Sequence, residues 1–243
     1  MQTTAFKLEL LTPPQDDLLL RVKASSLSLK EGDCVAVSSK VVSIWQGRCV
    51  PRDRQSKEEL IKQDADLYLD LPMKHGVIHT LKNGVLIANA GIDPLGDWYI
   101  LLPEKPHDTA EKLLAWFKNE YRISDLKLII TDSRSVFLRQ GAVGIAIAWA
   151  GFPPLYDNRR RVDLLGKDTG GTQTNLPDSL AAAATLAMGE ANEQTPIAVM
   201  RGIPYLDSPK ASPDSFEISP AEDLHAPLLQ NPKWRKGGGG VVL

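Results

Sequence analysis

The stretch that decides the fold class is LKLIITDSRSVFLRQGAVGIAIAWA, at residues 126–150. Its first part, residues 126–131, is a short apolar run rich in isoleucine, and such a run predicts a buried β-strand. Residues 143–150 form a second apolar run. The first run is followed directly by Asp132, so we expect that strand to present Asp132 at its carboxyl end.

Helical patterns lie on both sides of this stretch. Residues 108–121 begin with a candidate cap, Asp108, and then place apolar side chains at helical spacing. These are Leu113, Leu114, Trp116, Phe117 and Tyr121. Residues 178–188 contain strong helix formers after a second candidate cap, Asp178, and Gly189 is expected to end that helix. The sequence pattern therefore predicts both strands and helices.

Further strands are predicted where short β-rich runs are bounded by turn residues. The candidates are residues 33–38, 76–81, 85–89 and 196–201. Asn83-Gly84 predicts a tight hairpin turn, because both residues tolerate a positive φ. From residue 205 onward the pattern gives way to Pro, Ser, Asp and Gly. We therefore predict one domain over residues 1–205 and an extension over residues 206–243 that is dispensable for folding.

Composition excludes several classes of protein. The chain has 243 residues, of which 43% are hydrophobic, and its formal net charge is −2. This length and apolar content are enough for a substantial core, and the charge offers no basic surface for a nucleic acid. We expect a cytoplasmic protein with no membrane partner, because no secretory or membrane-spanning pattern is visible. The two cysteines, Cys34 and Cys49, are expected to be buried free thiols.

Two aspartates occupy positions where chemistry is often placed. Asp93 follows the apolar run at residues 85–92, and Asp132 follows residues 128–131 with Ser133 beside it. Carboxylates and a hydroxyl at strand ends are the oxygen ligands that Mg²⁺ or Mn²⁺ prefers when it also holds phosphate. The alternative is that each aspartate only caps a turn by accepting a backbone N–H. Spacing alone does not decide between a metal site and two turn caps.

Other motifs are weaker. Gly166-Lys167 lacks the glycine spacing of a phosphate-binding loop and predicts a turn. His75 and His79 lie in a β-like run without the helix and glutamate of a zinc protease. The arginines at residues 159–161 are either a solvated run or a clamp for an anionic substrate. The chain has no Gly-x-Ser-x-Gly motif, which argues against a covalent hydrolase.

Four blocks of the chain resemble the coenzyme F420-0:L-glutamate ligase family. They are EGDCVAVSSKVVSIWQGRCV at residues 31–50, GVLIANAGID at 84–93, LIITDSRSVFLRQGAVGIAIAWAG at 128–151 and DSLAAAATLAMGEANEQTPIAVMRG at 178–202. The stretch KEELIKQDADLYL at residues 57–69 is similar to a bacterial branch that is associated with folate metabolism. The resemblance implies a ligase that depends on GTP or ATP and is usually dimeric. It also implies an α+β fold with mixed sheets and packed helices and without a P-loop.

The resemblance also implies roles for particular residues. Asp93, Asp132 and Ser133 match the positions at which the family binds a divalent metal, Mg²⁺ or Mn²⁺. Ser39 and Glu190 match positions near the nucleotide. The chain departs from the family at two nucleotide-contacting positions, where Ile44 replaces a lysine and Gly96 replaces an asparagine, and residues 135–139 are also altered. These changes put the choice of nucleotide and substrate in question.

The implied reaction joins L-glutamate to a substrate carboxylate through an acyl phosphate. The catalytic candidates are Asp93, Asp132 and Arg139, and Lys40 and Arg139 are candidates for balancing phosphate or substrate charge, although both could be solvated surface residues. Two acceptors fit, a folate and coenzyme F420-0, and residues 57–69 favour the folate. The rivals are a catalytically silent metal-binding homologue that serves as a binding or scaffolding protein, and a metal-dependent phosphohydrolase.

Overall fold

The computed structural model describes residues 1–71, 76–159, 162–167, 170–204, 206, 216–230 and 232–239. Its strands are β1 (Gln2–Phe6), β2 (Cys34–Ser38), β3 (Cys49–Pro51), β4 (Leu67–Leu69), β5 (His79–Lys82), β6 (Val85–Ala88), β7 (Asp93–Leu95), β8 (Trp98–Ile100), β9 (Lys127–Ser135), β10 (Ala142–Ala150), β11 (Leu155–Asp157), β12 (Gln173–Asn175), β13 (Ile197–Arg201) and β14 (Trp234–Lys236). Its helices are α1 (Leu18–Lys23), α2 (Ser39–Trp45), α3 (Lys57–Asp64), α4 (Pro106–Tyr121), α5 (Leu176–Met188) and α6 (Ala226–Gln230). The predicted α+β class with mixed sheets is confirmed.

The central sheet has the strand order β1-β13-β2-β9-β10. Its inner pair, β2 and β9, is parallel, and the other pairs are antiparallel. Side chains alternate between the two faces of a strand, so neighbouring residues of β9 enter different clusters. Leu128 and Ile130 pack in the cluster that includes α4, whereas Ile129 packs in the cluster that includes α5. The two helices therefore cover opposite faces of the sheet.

The smaller sheets position the segment that carries Asp93. Strands β5 and β6 pair as a hairpin, and Asn83 and Gly84 have φ angles of 51° and 72° at its turn, as predicted. A 3-10 turn, Asn89–Gly91, follows β6 and leads into β7. Gly91 is required in this turn because its φ is 70° and a Cβ there would lie 2.7 Å from Leu102 Cγ. Chain reversal at this turn brings Asp93 to the start of β7.

Three local predictions are wrong in detail. Asp132 lies inside β9 rather than after it, because β10 continues the pairing as far as Ser135 and places Ile145 opposite Asp132. Asp93 begins a strand instead of following one. Neither predicted cap is a cap: Asp108 and Asp178 lie in the first turns of α4 and α5.

The cap positions explain the difference. Helix α4 begins at Pro106 after Lys105, and α5 begins at Leu176 after Asn175, whose side chain accepts a hydrogen bond from the backbone N–H of Asp178. A proline in the first turn has no N–H to leave unsatisfied, so both helices extend further towards the N-terminus than the aspartates indicate. The predicted stop at Gly189 is confirmed, with φ at 82°.

Described parts of the C-terminal extension contact the rest of the chain. Strand β14 pairs antiparallel with β4, where Trp234 lies opposite Leu69. Three consecutive glycines then donate backbone hydrogen bonds to the end of α3 and the residues after it, from Gly237 to Asp66, from Gly238 to Lys62 and from Gly239 to Ala65. The division of the chain at residue 205 stays a prediction, but the extension is not detached from the body.

The remaining motifs play local parts. Cys34 and Cys49 are free thiols, the first buried and the second half-buried. The turn predicted at Gly166-Lys167 is present, because the N–H of Gly166 donates to the carbonyl of Asp163. Arg159 pairs with Asp157, and its two neighbours at residues 160–161 lie outside the described residues, as does His75. Among the helices that the structure describes, none is both long and apolar enough to cross a bilayer.

Candidate functional site

A cavity of about 480 Å³ opens beside the central sheet. Its walls come from residues 8–11, the junction of β2 with α2, the start of β7, the middle of β9, and residues 188–196 after α5. The first and last of these segments are tied together, because Gln194 Nε2 donates to the carbonyl of Leu8 across 2.9 Å. The cavity thus gathers segments that lie far apart in sequence.

Asp132 lies on the sheet side of the cavity, where its carboxylate accepts one backbone hydrogen bond. The backbone N–H of Ser133 donates to Asp132 Oδ1 across 2.7 Å. Burial, together with the charge of Asp93, raises the pKa of Asp132 to about 7 against the opposing effects of Ser133, Lys40 and Ser39. Neighbouring protein groups therefore stabilise the negative charge of Asp132 only in part.

Asp93 faces the same cavity from β7. Its Oδ2 lies 3.1 Å from Nζ of Lys40, which belongs to the first turn of α2. Both side chains keep contact with solvent, at 41% exposure for Lys40 and 54% for Asp93. Because the charge of Asp93 acts on the pKa of Asp132, the two aspartates share one electrostatic environment. The structure thus brings together the two residues that spacing could not connect.

Ser133 and Glu190 form a second contact across the cavity. Ser133 Oγ donates to Glu190 Oε2 across 3.2 Å. Glu190 is placed by the end of α5, where Gly189 takes a positive φ that turns the chain towards β9. A Cβ on Gly189 would also meet Glu193 Oε2 at 2.5 Å, so this corner of the loop requires glycine.

Six of the seven predicted site residues line this cavity, namely Ser39, Lys40, Asp93, Asp132, Ser133 and Glu190. Arg139 does not line it and lies exposed in the loop between β9 and β10. Sequence reasoning missed the walls formed by residues 8–11 and 191–196. These segments carry no chemical motif, and only the resemblance of residues 178–202 to the family hinted at the second wall.

The charges of the cavity are unbalanced. Its described lining includes the carboxylates of Glu9, Asp93, Asp132, Glu190 and Glu193. Lys40 is the only cationic side chain among the described residues that line it. Ile44, one helical turn after Lys40, is buried and supplies an apolar surface. Such a lining repels a polyphosphate unless further positive charge enters with it.

The donor set is compatible with Mg²⁺ or Mn²⁺. Asp93, Asp132 and Ser133 offer two carboxylates and one hydroxyl, and the uncompensated charge on Asp132 favours a cation nearby. In the described part of the chain, no group of three or more His, Cys, Asp or Glu residues could hold a metal ion. Magnesium suits such a sparse site, because it keeps several waters and uses one or two carboxylates together with substrate phosphates.

Comparison with known proteins matches this chain to one family. The family model described as F420-0:Gamma-glutamyl ligase matches residues 13–202. A protein of Methanopyrus kandleri, named coenzyme F420:L-glutamate ligase, is 34% identical over 211 residues, which cover 78% of this chain and 82% of the relative. A protein of the same name from Methanocaldococcus jannaschii is 31% identical over 194 residues, covering 72% of this chain and 77% of the relative.

Proposed function

The chain belongs to the F420-0:gamma-glutamyl ligase family, and we propose that it joins the amine of L-glutamate to a carboxylate of a small-molecule acceptor, driven by GTP or ATP. The observation that carries the proposal is the meeting of Asp93, Asp132 and Ser133 at one cavity with a single lysine. That arrangement suits a site where phosphate and metal are bound together. We further expect a homodimer in the cytoplasm.

The chemistry requires activation because a carboxylate is a poor electrophile in water. The acceptor carboxylate would take the γ-phosphoryl group, releasing the nucleoside diphosphate and forming an acyl phosphate. The glutamate amine would then attack the acyl carbon. The C–N bond forms as the bond between the acyl carbon and the bridging oxygen breaks, phosphate leaves with that oxygen, and the amine loses a proton. This mechanism needs no nucleophile of the protein.

Asp93, Asp132 and Ser133 would hold the divalent cation. When bound, that cation supplies positive charge that neutralises phosphate oxygens during transfer. The backbone N–H of Ser133 holds the Asp132 carboxylate, and Glu190 orients the Ser133 hydroxyl by accepting from it. Lys40 is the candidate for balancing phosphate charge. Arg139 lies away from the cavity, so the proposal does not depend on it.

Two acceptors remain candidates. The relatives are named for coenzyme F420, which favours an F420-0 type carboxylate, whereas the resemblance of residues 57–69 to the folate branch favours a folate. Both end in a carboxylate, and the mechanism above applies equally to each. Reactions that offer both acceptors together would decide between them through the mass of the product.

The proposal is tested by measuring phosphate release while each component is omitted in turn. We expect release only when metal, nucleotide, glutamate and acceptor are all present, because phosphate leaves after the amine attacks. Equal release without glutamate and acceptor would instead identify a phosphohydrolase. No release with any acceptor, together with retained metal binding, would favour a silent homologue.

A further inference from the structure

We propose that Lys40 and the divalent cation compete for Asp93, so that metal binding releases Lys40 from Asp93 and makes its ammonium available to the nucleotide phosphates. This inference rests on the proposed function, because it assumes the metal site there. It assigns Lys40 a positioning role in two states, as the counterion of Asp93 without metal and as a phosphate partner with metal.

The first observation is that the candidate metal ligands are already engaged by protein groups. Asp93 pairs with Lys40 across 3.1 Å, and the Ser133 hydroxyl donates to Glu190. Asp132 accepts from the backbone N–H of Ser133. A carboxylate oxygen has further lone pairs for a metal, but an ammonium and a dication at the same carboxylate repel each other. The Lys40 contact is therefore the one that a metal must weaken.

The second observation is that Lys40 has the longer and more flexible side chain, whereas the backbone that carries Asp93 is held in place. The Lys40 side chain is 41% exposed and ends a flexible aliphatic stem, so it can turn within the cavity. Asp93 follows a turn in which Asn89, Ala90 and Gly91 all have positive φ, and Ile92 beside it is buried. When the two charges separate, the lysine is the partner that moves.

The third observation is the shortage of other cations. Lys40 is the only positive side chain in the described lining, and the position one helical turn later is the buried Ile44. A phosphate that enters the cavity has no second lysine there to meet it. The same ammonium therefore pairs with Asp93 before the metal binds and with the phosphates afterwards. This arrangement couples nucleotide binding to prior metal binding.

The test compares Lys40→Met with the parent protein by calorimetric titration with MnCl₂ alone and then with GTP at saturating Mn²⁺. We expect Lys40→Met to bind Mn²⁺ about 3- to 10-fold more tightly, because a competing exposed ion pair of modest strength is removed. GTP should bind at least about 10-fold more weakly, because a charge-assisted contact is lost. A general structural defect would weaken both affinities, so their opposite directions are diagnostic.

Two controls complete the design. Lys40→Arg keeps the charge and should resemble the parent in both titrations. Lys112→Met removes an exposed lysine of α4 that does not line the cavity and should change neither affinity. Parent-like or weaker Mn²⁺ binding by Lys40→Met would overturn the competition. If the parent itself binds no Mn²⁺ at millimolar concentration, the metal site of the proposed function is wrong, and the competition falls with it.

Discussion

Ser133 Oγ donates a hydrogen bond to Glu190 Oε2 across 3.2 Å, and this contact joins β9 to the loop that follows α5. The contact orients a hydroxyl that would also be a metal ligand. Groups that orient a ligand commonly change metal affinity by about 10- to 100-fold when they are removed. Substitutions at Ser133 or Glu190 should therefore change metal affinity while the fold is retained.

Ser133→Ala is expected to weaken Mn²⁺ binding by about 10-fold or more, because both the ligand oxygen and its orienting contact are lost. Ser133→Thr keeps the hydroxyl, so it should bind Mn²⁺ within about 3-fold of the parent. Calorimetric titration measures both. Equal affinities for the alanine variant and the parent would remove Ser133 from the metal site.

The raised pKa of Asp132 predicts how the stability of the metal-free protein changes with pH. Its pKa is about 7 in the folded protein and near the ordinary value of 3.8 in the unfolded chain, so the folded state binds more protons between these values. Stability contributed by this group is therefore present at low pH and falls as pH rises towards 7. Above pH 7 the full cost of the buried charge remains.

Asp132→Asn removes this cost. In EDTA, we expect the variant to melt at a higher temperature than the parent at pH 8, and the difference to shrink towards pH 4. Asp53→Asn removes the same charge from an exposed position and serves as the control. If the melting temperature of Asp132→Asn exceeds that of the parent by the same amount at every pH in this range, ionisation of Asp132 does not destabilise the folded protein as predicted.

Asp93 and Asp132 are expected to act as one unit in catalysis. Each single Asn variant should lose several orders of magnitude in ligation rate, because a charge that faces the metal is removed while the size of the side chain is kept. The double variant should be little slower than either single one, because a unit that is already disabled cannot be disabled again. Rates that multiply as for independent sites would return both residues to structural roles.

That the C-terminal extension is dispensable for folding stays a prediction, but its described contacts favour a contribution to stability. Leu206 is 4% exposed in the cluster that includes α5, and β14 adds a strand beside β4. Truncation after Ile203 should therefore lower the melting temperature by about 5 °C or more, and truncation after Gln230 by less. Truncation after Gly239 is the control and should have little effect. A parent-like melting temperature for the truncations after Ile203 and after Gln230 would support the prediction, made from composition, that the extension is dispensable.

The sequence predicted most elements because their patterns are local. Periodic apolar residues located α4 and α5, and Asn83-Gly84 located the β5–β6 turn. It misplaced Asp132 because the length of β9 depends on pairing with β10. It misplaced the two helix starts because α4 begins at Pro106 and α5 begins after its cap, Asn175, upstream of the two aspartates. Strand β10 extends β9 past Asp132, and the strand pairing of Trp234 with Leu69 could not be predicted from a Gly- and Pro-rich tail.

The sequence predicted which residues belong to the candidate site better than it predicted how they come together. Asp93, Asp132 and Ser133 were identified from strand context and resemblance, but their meeting depends on how the β5–β6 hairpin and the central sheet pack. The Lys40–Asp93 ion pair was not predicted, because nothing in the sequence links the first turn of α2 to β7. Nor did the sequence indicate that residues 8–11 close the cavity, since they form no recognisable motif.

Mass spectrometry of the reaction products tests the central claim most directly. The purified protein is incubated with MnCl₂, GTP or ATP, L-glutamate, and an F420-0 type acceptor and a folate together, with Asp132→Asn as the inactive control. We expect the mass of an acceptor to increase by one or more glutamyl residues, only in the complete mixture and only with the parent protein. Nucleotide hydrolysis without any glutamyl product, at the same rate whether or not glutamate is present, would contradict it.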